Sequence, residues 1–203
     1  MNDHAYMAQA LRLAKQGVYS THPNPRVGCV LVAGQQVVGE GWHKRAGEPH
    51  AEVHALQQAG TQAQGATAYV TLEPCSHHGL TPPCAHALAQ AGVSRVVVAM
   101  QDPNPQVAGR GIAYLQGQGI QVDLLSGELA DAARALNCGF VKRMEQGLPF
   151  VRLKLAMSLD GRTAMASGES QWITGPAARA DVQELRARSS AILTGADTVM
   201  TDN

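Results

Sequence analysis

Apolar residues recur along this chain in two alternating rhythms, helical spacing and short continuous runs, and the alternation predicts the fold class. Met7, Ala10, Leu11 and Ala14 fall at helical spacing behind Asn2 and Asp3, which predicts an amphipathic helix over residues 3–16 ended by Gly17. Val27 to Val32 and Gln36 to Gly41 are apolar-rich runs on either side of Ala33-Gly34-Gln35, a β-hairpin pattern. Then follow a helix from about His50 to Ala59, a strand Ala68 to Leu72, a helix Pro83 to Ala91 and a strand Arg95 to Met100. A weaker helix near Gly111 to Gln118 precedes a strand Ile120 to Leu124. Strands alternating with helices of this length predict an α/β layered sheet.

Residues 128–146 read as one more helix, with Leu129, Ala132, Ala133, Leu136 and Phe140 on a common face and Gly147 at its end. Pro149 then opens a strand, Phe150 to Met157, so the domain boundary is placed near 147, giving one domain over 1–146 and another over 147–203. The second segment continues through a Gly/Ser-rich loop, a helix from Pro176 to about Arg188 and a strand Ala191 to Thr194. It is short for a nucleotide-binding domain, and the chain is therefore expected to be part of a longer polypeptide. No internal repeat or low-complexity tract interrupts the pattern.

Composition narrows the function classes. A hydrophobic content of 45% supports a packed core, and 16 basic residues cancel 16 acidic ones without a Lys/Arg cluster, which argues against nucleic acid as a partner. The N-terminus lacks a basic segment followed by an apolar one, and no run approaches the ~18 apolar residues of a membrane span, so a soluble cytoplasmic protein with no membrane partner is expected. Four cysteines, two of them inside a metal-type motif, read as thiols of a reducing compartment. Cys29 and Cys138 read as buried bystanders.

The chemistry concentrates in His50-Ala51-Glu52 and in Pro74-Cys75-Ser76-His77-His78-Gly79-Leu80-Thr81-Pro82-Pro83-Cys84. His50, Cys75 and Cys84 offer three metal ligands, the number a catalytic zinc takes while keeping its fourth position for water; a structural zinc takes four. Such a metal lowers the pKa of its water towards ~7, and Glu52 is spaced to carry protons between that water and a leaving amine. Each ligand segment precedes a predicted helix behind a proline, Pro49 or Pro82-Pro83. The dipole at such a helix end favours thiolate. His77 and His78 stay open as rival ligands, and Glu52 as an ordinary first-turn glutamate.

His-x-Glu followed by Pro-Cys-x-x-Cys marks the zinc nucleobase deaminases, but here eight residues separate Cys75 from Cys84. With that insert, with Asn24-Pro25-Arg26-Val27-Gly28 and with Gln101-Asp102-Pro103-Asn104-Pro105 before Gly109-Arg110-Gly111, the chain resembles the bifunctional riboflavin-biosynthesis deaminase/reductase family. Lys154 to Arg162 and Gly168-Glu169-Ser170-Gln171-Trp172-Ile173-Thr174 look like the start of its reductase half. The resemblance implies a cytidine-deaminase-like α/β/α layered domain followed by the start of a dihydrofolate-reductase-like α/β domain. It implies zinc and NADPH as cofactors, a phosphorylated pyrimidine as substrate and a homo-oligomer.

By the same resemblance Asn24 contacts substrate in the deaminase pocket, with His43 and His77 as further pocket candidates. Where many members carry Lys or Arg, this chain has Leu80, leaving Arg45, Lys44 or Arg26 to supply charge for a phosphate. Ala156, Trp172, Thr198 and Asp202 match NADPH positions, and Ser170, Arg186 and Lys154 match substrate positions. No Gly-x-Gly-x-x-Gly accompanies them, so the cofactor rests on resemblance alone. Two rivals remain: a cytidine or tRNA-adenosine deaminase, which predicts Cys-x-x-Cys, and a zinc-stabilised binding module, which predicts four protein ligands.

Overall fold

The computed structural model of the chain describes residues 2–77, 82–105 and 107–202, apart from the side chains of residues 201 and 202. The chain divides into two compact units, Met1–Phe150 and Val151–Asn203. The first contains α1 (Asp3–Lys15), β1 (Gly28–Ala33), β2 (Gln36–Trp42), α2 (Ala51–Ala59), β3 (Thr67–Val70), α3 (Cys84–Gln90), β4 (Arg95–Val98), α4 (Arg110–Gly117), β5 (Gln121–Leu124), α5 (Glu128–Leu136) and α6 (Cys138–Gln146). Asn2 caps α1, its side chain accepting from the Ala5 N–H at 3.2 Å, and Gly34 turns the hairpin with a φ of 62° that a side chain would resist.

The strands form one sheet in the order β2-β1-β3-β4-β5. β1 is antiparallel to β2 and β3, whereas β3, β4 and β5 run parallel. Trp42 pairs with Gly28 and Cys29 pairs with Val70. The start of β1 and the ends of β2, β3 and β4 therefore share one edge of the sheet, where the chain leaves towards Asn24, His43, Cys75 and Asp102. That edge lies beyond the carboxyl ends of the parallel strands, where open α/β sheets place ligands.

Burial follows the two-residue period of the strands. Cys29, Leu31, Ala68, Val70, Val96 and Val98 join one core with α2, α3 and α4, through residues such as Ala55, Leu88 and Leu115. Val30, Val32, Tyr69 and Val97 join the opposite core with Met7, Ala10 and Leu11 of α1 and with Ala133 and Val141 of α5 and α6. A sheet covered on both faces has no polar face, which is why its strands read as continuous apolar runs. The packing is close enough to require glycine. A Cβ on Gly39 would lie 2.2 Å from the Ala55 carbonyl oxygen and one on Gly41 2.2 Å from that of Ala51, so α2 rests directly on β2.

The predicted helix over 128–146 is interrupted. Asn137, with φ −110° and ψ 23°, separates α5 from α6. Its buried side-chain amide bonds the Arg26 backbone.

The second unit holds α7 (Pro176–Ala187), entered through Gly175 and Pro176, and α8 (Ala196–Asp202), which the pattern did not predict. The predicted strands Phe150 to Met157 and Ala191 to Thr194 are not formed. Leu153 is 82% exposed and Leu193 fully exposed. An apolar run becomes a strand only with a ladder partner and a layer to pack on, and neither run has them among the described residues. No helix among the described residues is long and apolar enough to cross a membrane.

Candidate metal centre

His50 occupies the N-cap position of α2, in extended conformation, and its side chain makes no capping hydrogen bond. Cys84 is the first residue of α3, and Cys75 lies in the segment leading from β3. The first N–H groups of a helix have no internal partner. In α3 two of them go to Cys75, as the Cys84 N–H donates to Cys75 Sγ at 3.3 Å and the Ala85 N–H to the Cys75 carbonyl at 3.0 Å.

His50 Nδ1 lies 3.2 Å from Cys84 Sγ and 3.6 Å from Cys75 Sγ, and the three ligand atoms all lie within 4.8 Å of one another. A tetrahedral zinc with bonds of ~2.0–2.3 Å has vertices about 3.5 Å apart, so the donors are spaced to hold one. His77, though described, does not join this group, and His78 and Leu80 lie outside the described residues.

Electrostatics suit a cation. Hydrogen bonds from Cys84 and His50 hold Cys75 well towards thiolate, while the thiol of Cys84 is pushed up, first by its bond to Cys75 and then by burial. His50 is raised by its bond to Cys75. Glu52, in the first turn of α2, is 3% exposed, and its Oε2 is buried with no hydrogen-bond partner. Burial, and then the negative charge of Cys75, push its pKa up to about 7. A carboxylate oxygen kept dry and unpartnered beside three metal-type donors fits a missing reactant.

Around this group the shared sheet edge gathers further polar residues. Buried His43 stands edge-on to His50 with ring centroids 5.1 Å apart. Its Nδ1 faces the Pro49 carbonyl at 3.3 Å, which requires that nitrogen to carry the proton, so Nε2 accepts from Asn24 Nδ2 at 3.2 Å. Burial lowers the His43 pKa and keeps the ring neutral. Asn24 is thereby tied to the ring that stands against His50.

Arg26 is committed elsewhere, its guanidinium donating to the Leu136 and Val18 carbonyls at 3.1 Å each. Lys44 and Arg45, in contrast, are exposed.

Glu73 is a residue the motif reading passed over. It is 3% exposed, and its carboxylate accepts from the N–H groups of Asp102, Gly109, Gly111 and Ile112 at 2.9–3.3 Å, fastening the loop before α4 to the segment that carries Cys75. Gly111 lets α4 approach, since a Cβ there would meet the Pro74 carbonyl oxygen at 1.9 Å.

In the second unit Lys154, Ser170, Trp172, Arg186 and Thr198 are exposed and Ala156 half-buried. No hydrogen bond, ion pair or ring contact joins these six to one another among the described residues. Trp172 lies under the Arg179 guanidinium, 4.3 Å from its ring centre. The Asp202 side chain lies outside the described residues.

A mixed five-stranded sheet that brings one histidine, two cysteines and a buried glutamate together at the starts of two helices and the segment after β3 defines a cytidine-deaminase-like, zinc-binding class of protein. Residues 1–100 match the family model described as the cytidine and deoxycytidylate deaminase zinc-binding region, and residues 149–203 that of the RibD C-terminal domain. More narrowly, the chain belongs to the family of the riboflavin biosynthesis protein RibD. The Escherichia coli member is 65% identical over 203 residues, which are 100% of this chain and 55% of that one. A diaminohydroxyphosphoribosylamino-pyrimidine deaminase of Buchnera aphidicola is 50% identical over 149 residues, 73% of this chain and 100% of its own length. The solved structure of Acinetobacter baumannii RibD superposes with a TM-score of 0.92 at 63% identity, covering 98% of this chain and 56% of that one. The chain thus spans about half the length of the longer relatives it matches.

Proposed function

We propose that residues 1–146 form a zinc-dependent deaminase domain that hydrolyses the 2-amino group of 2,5-diamino-6-(5-phosphoribosylamino)pyrimidin-4(3H)-one in riboflavin biosynthesis. The observation that carries this is the unpartnered oxygen of Glu52 beside His50, Cys75 and Cys84. The name of the Buchnera relative supports the substrate class. His50, Cys75 and Cys84 would hold zinc, which supplies a Lewis acid that eases ionisation of water.

Glu52 Oε2 takes a proton from the attacking water and returns it to the departing amine. A pKa near 7 suits both directions of that transfer at neutral pH. Asn24, held by neutral His43, contacts the substrate beside the centre. Lys44 and Arg45, which follow His43 directly in the chain and are exposed, would supply the charge for a phosphate.

Residues 147–203 are read as the beginning of an NADPH-dependent reductase domain that converts the ribosyl group of the deaminated product to ribityl. Ala156, Trp172, Thr198 and Asp202 contact the cofactor in this reading, and Lys154, Ser170 and Arg186 the substrate. The family match over 149–203 supports it.

The test is ammonia release from the diaminopyrimidine ribosyl phosphate, with cytidine in parallel, on protein of known zinc content. Release from the former alone, lost on chelation, is the expected result. Activity on cytidine, or bound zinc without turnover on either, overturns the proposal.

A further inference from the structure

Asn137 is fully buried and takes no part in the chemistry above. Its side chain faces the backbone of Arg26: the Arg26 N–H donates to Asn137 Oδ1 at 2.8 Å, and Asn137 Nδ2 donates to the Arg26 carbonyl at 3.0 Å. The side-chain amide thus imitates the exchange of two bonds that a neighbouring strand would make. With the guanidinium bonds to Leu136 and Val18, Arg26 is held at four points, three of them at the junction of α5 and α6.

Asn24 lies two residues upstream, between Pro23 and Pro25. Each proline fixes its own φ, and Pro25 restricts Asn24 to extended conformations. The Asn24 N–H is tied to the Thr21 carbonyl at 2.8 Å, and Thr21 is itself buried, with its hydroxyl donating to the Gly17 carbonyl at 3.1 Å. Little torsional freedom therefore separates the clamped Arg26 from the amide that meets His43.

We infer that Asn137, at the break between α5 and α6, is a positioning residue for the deaminase pocket, fixing Arg26 and through it the direction in which Asn24 presents its amide. This rests on the reading of Asn24 as a substrate contact. It also accounts for the break itself, because carrying the helix straight through residue 137 would take that amide away from Arg26.

The test uses the zinc-loaded full chain and compares Asn137→Asp, Asn137→Ala, Asn24→Ala, the Asn24/Asn137 double alanine variant and Leu115→Ala. Asn137→Asp keeps the size and one acceptor while replacing the donor to the Arg26 carbonyl, and it carries the test if the alanine variant does not fold. Leu115→Ala is a control that loosens the core away from the pocket loop. Ammonia release gives KM and kcat, and amide hydrogen exchange follows residues 18–26.

The Asn137 variants are expected to raise KM about tenfold, as loss of one well-placed hydrogen bond would, with zinc content and kcat kept and exchange over 18–26 accelerated. The double variant should be no worse than Asn24→Ala, and Leu115→Ala should lower stability without moving KM. An unchanged KM in folded Asn137 variants, alongside a raised KM in Asn24→Ala, overturns the inference. An unchanged KM in Asn24→Ala overturns the substrate-contact reading and the inference with it. A wild type without turnover counts against the deaminase reading, and exchange then decides the clamp: unchanged protection of 18–26 on loss of Asn137 overturns it.

Discussion

Glu52 and Glu73 are buried to the same degree, each 3% exposed, and each is within two residues of a candidate metal ligand, yet their surroundings are opposite. Glu73 receives four backbone N–H groups, whereas Glu52 keeps an oxygen with no partner. Withdrawing a carboxylate from water costs several kcal/mol unless its lone pairs are satisfied. The first carboxylate is thus a fastening that folding completes by itself. The second is left incomplete, with one oxygen unanswered by the chain. The comparison teaches that burial alone does not distinguish the two acids; the missing partner of Glu52 does.

The comparison breaks most sharply at the ligands. Cys75→Ala should abolish zinc binding and bring ammonia release below detection, and a chelator should do the same to the wild type. Metal analysis against protein concentration checks this, and full zinc occupancy in the variant would bring His77 back as a ligand. Glu52→Gln should keep zinc and lower turnover by about 10³-fold. Its melting temperature should hold or rise, because a neutral amide is cheaper to bury than a carboxylate with an unpartnered oxygen. A rate above about a tenth of the wild type would remove Glu52 as proton carrier.

Glu73→Gln should show the reverse. The amide replaces one acceptor oxygen by a donor that faces backbone N–H groups, so stability should fall by about 2 kcal/mol in urea unfolding while zinc stays bound. Unchanged stability would mean that the 101–112 loop does not depend on the four bonds.

The two glutamates also show what could be read from the chain. The grouping of Glu52 with His50, Cys75 and Cys84 was legible because spacing defines it: His-x-Glu puts the histidine and the acid in one helical turn, and two cysteines near prolines supply the rest. Alternating runs were enough for the layered sheet, since the central strands β1, β3 and β4 pack on both faces. Glu73 and Asn137 were not legible, because their partners are backbone groups 29–39 and 111 residues away, which leave no side-chain pattern. The apolar runs after 150 misled for a related reason. Strand formation depends on a neighbour as much as on the run, and the neighbour is not written in the run.

The smallest effect lies at the opposite edge of the sheet, where polar groups satisfy one another at the surface. Arg95 bridges Asp3 and Asp123 at 2.7 and 2.6 Å, and Tyr69 donates its hydroxyl to Asp3 at 2.7 Å. The bond from Arg95, and then that from Tyr69, lower the Asp3 pKa against the opposing effect of partial burial. A carboxylate whose pKa is lower folded than unfolded contributes stability above its unfolded value, about 3.9, and loses it as pH falls through the folded value. Asp3 and Arg95 are partly exposed, so the contribution is held to about 0.5 kcal/mol and is screened by salt. Asp3→Asn should therefore be slightly less stable than the wild type at pH 6, with the gap closing as pH is lowered below 4, and ammonia release should be unchanged. A gap that stays constant with pH would mean that Asp3 acts through its position at the start of α1 and not through its charge. A fall in turnover would break the division between a site left open for chemistry and an edge closed by its own charges.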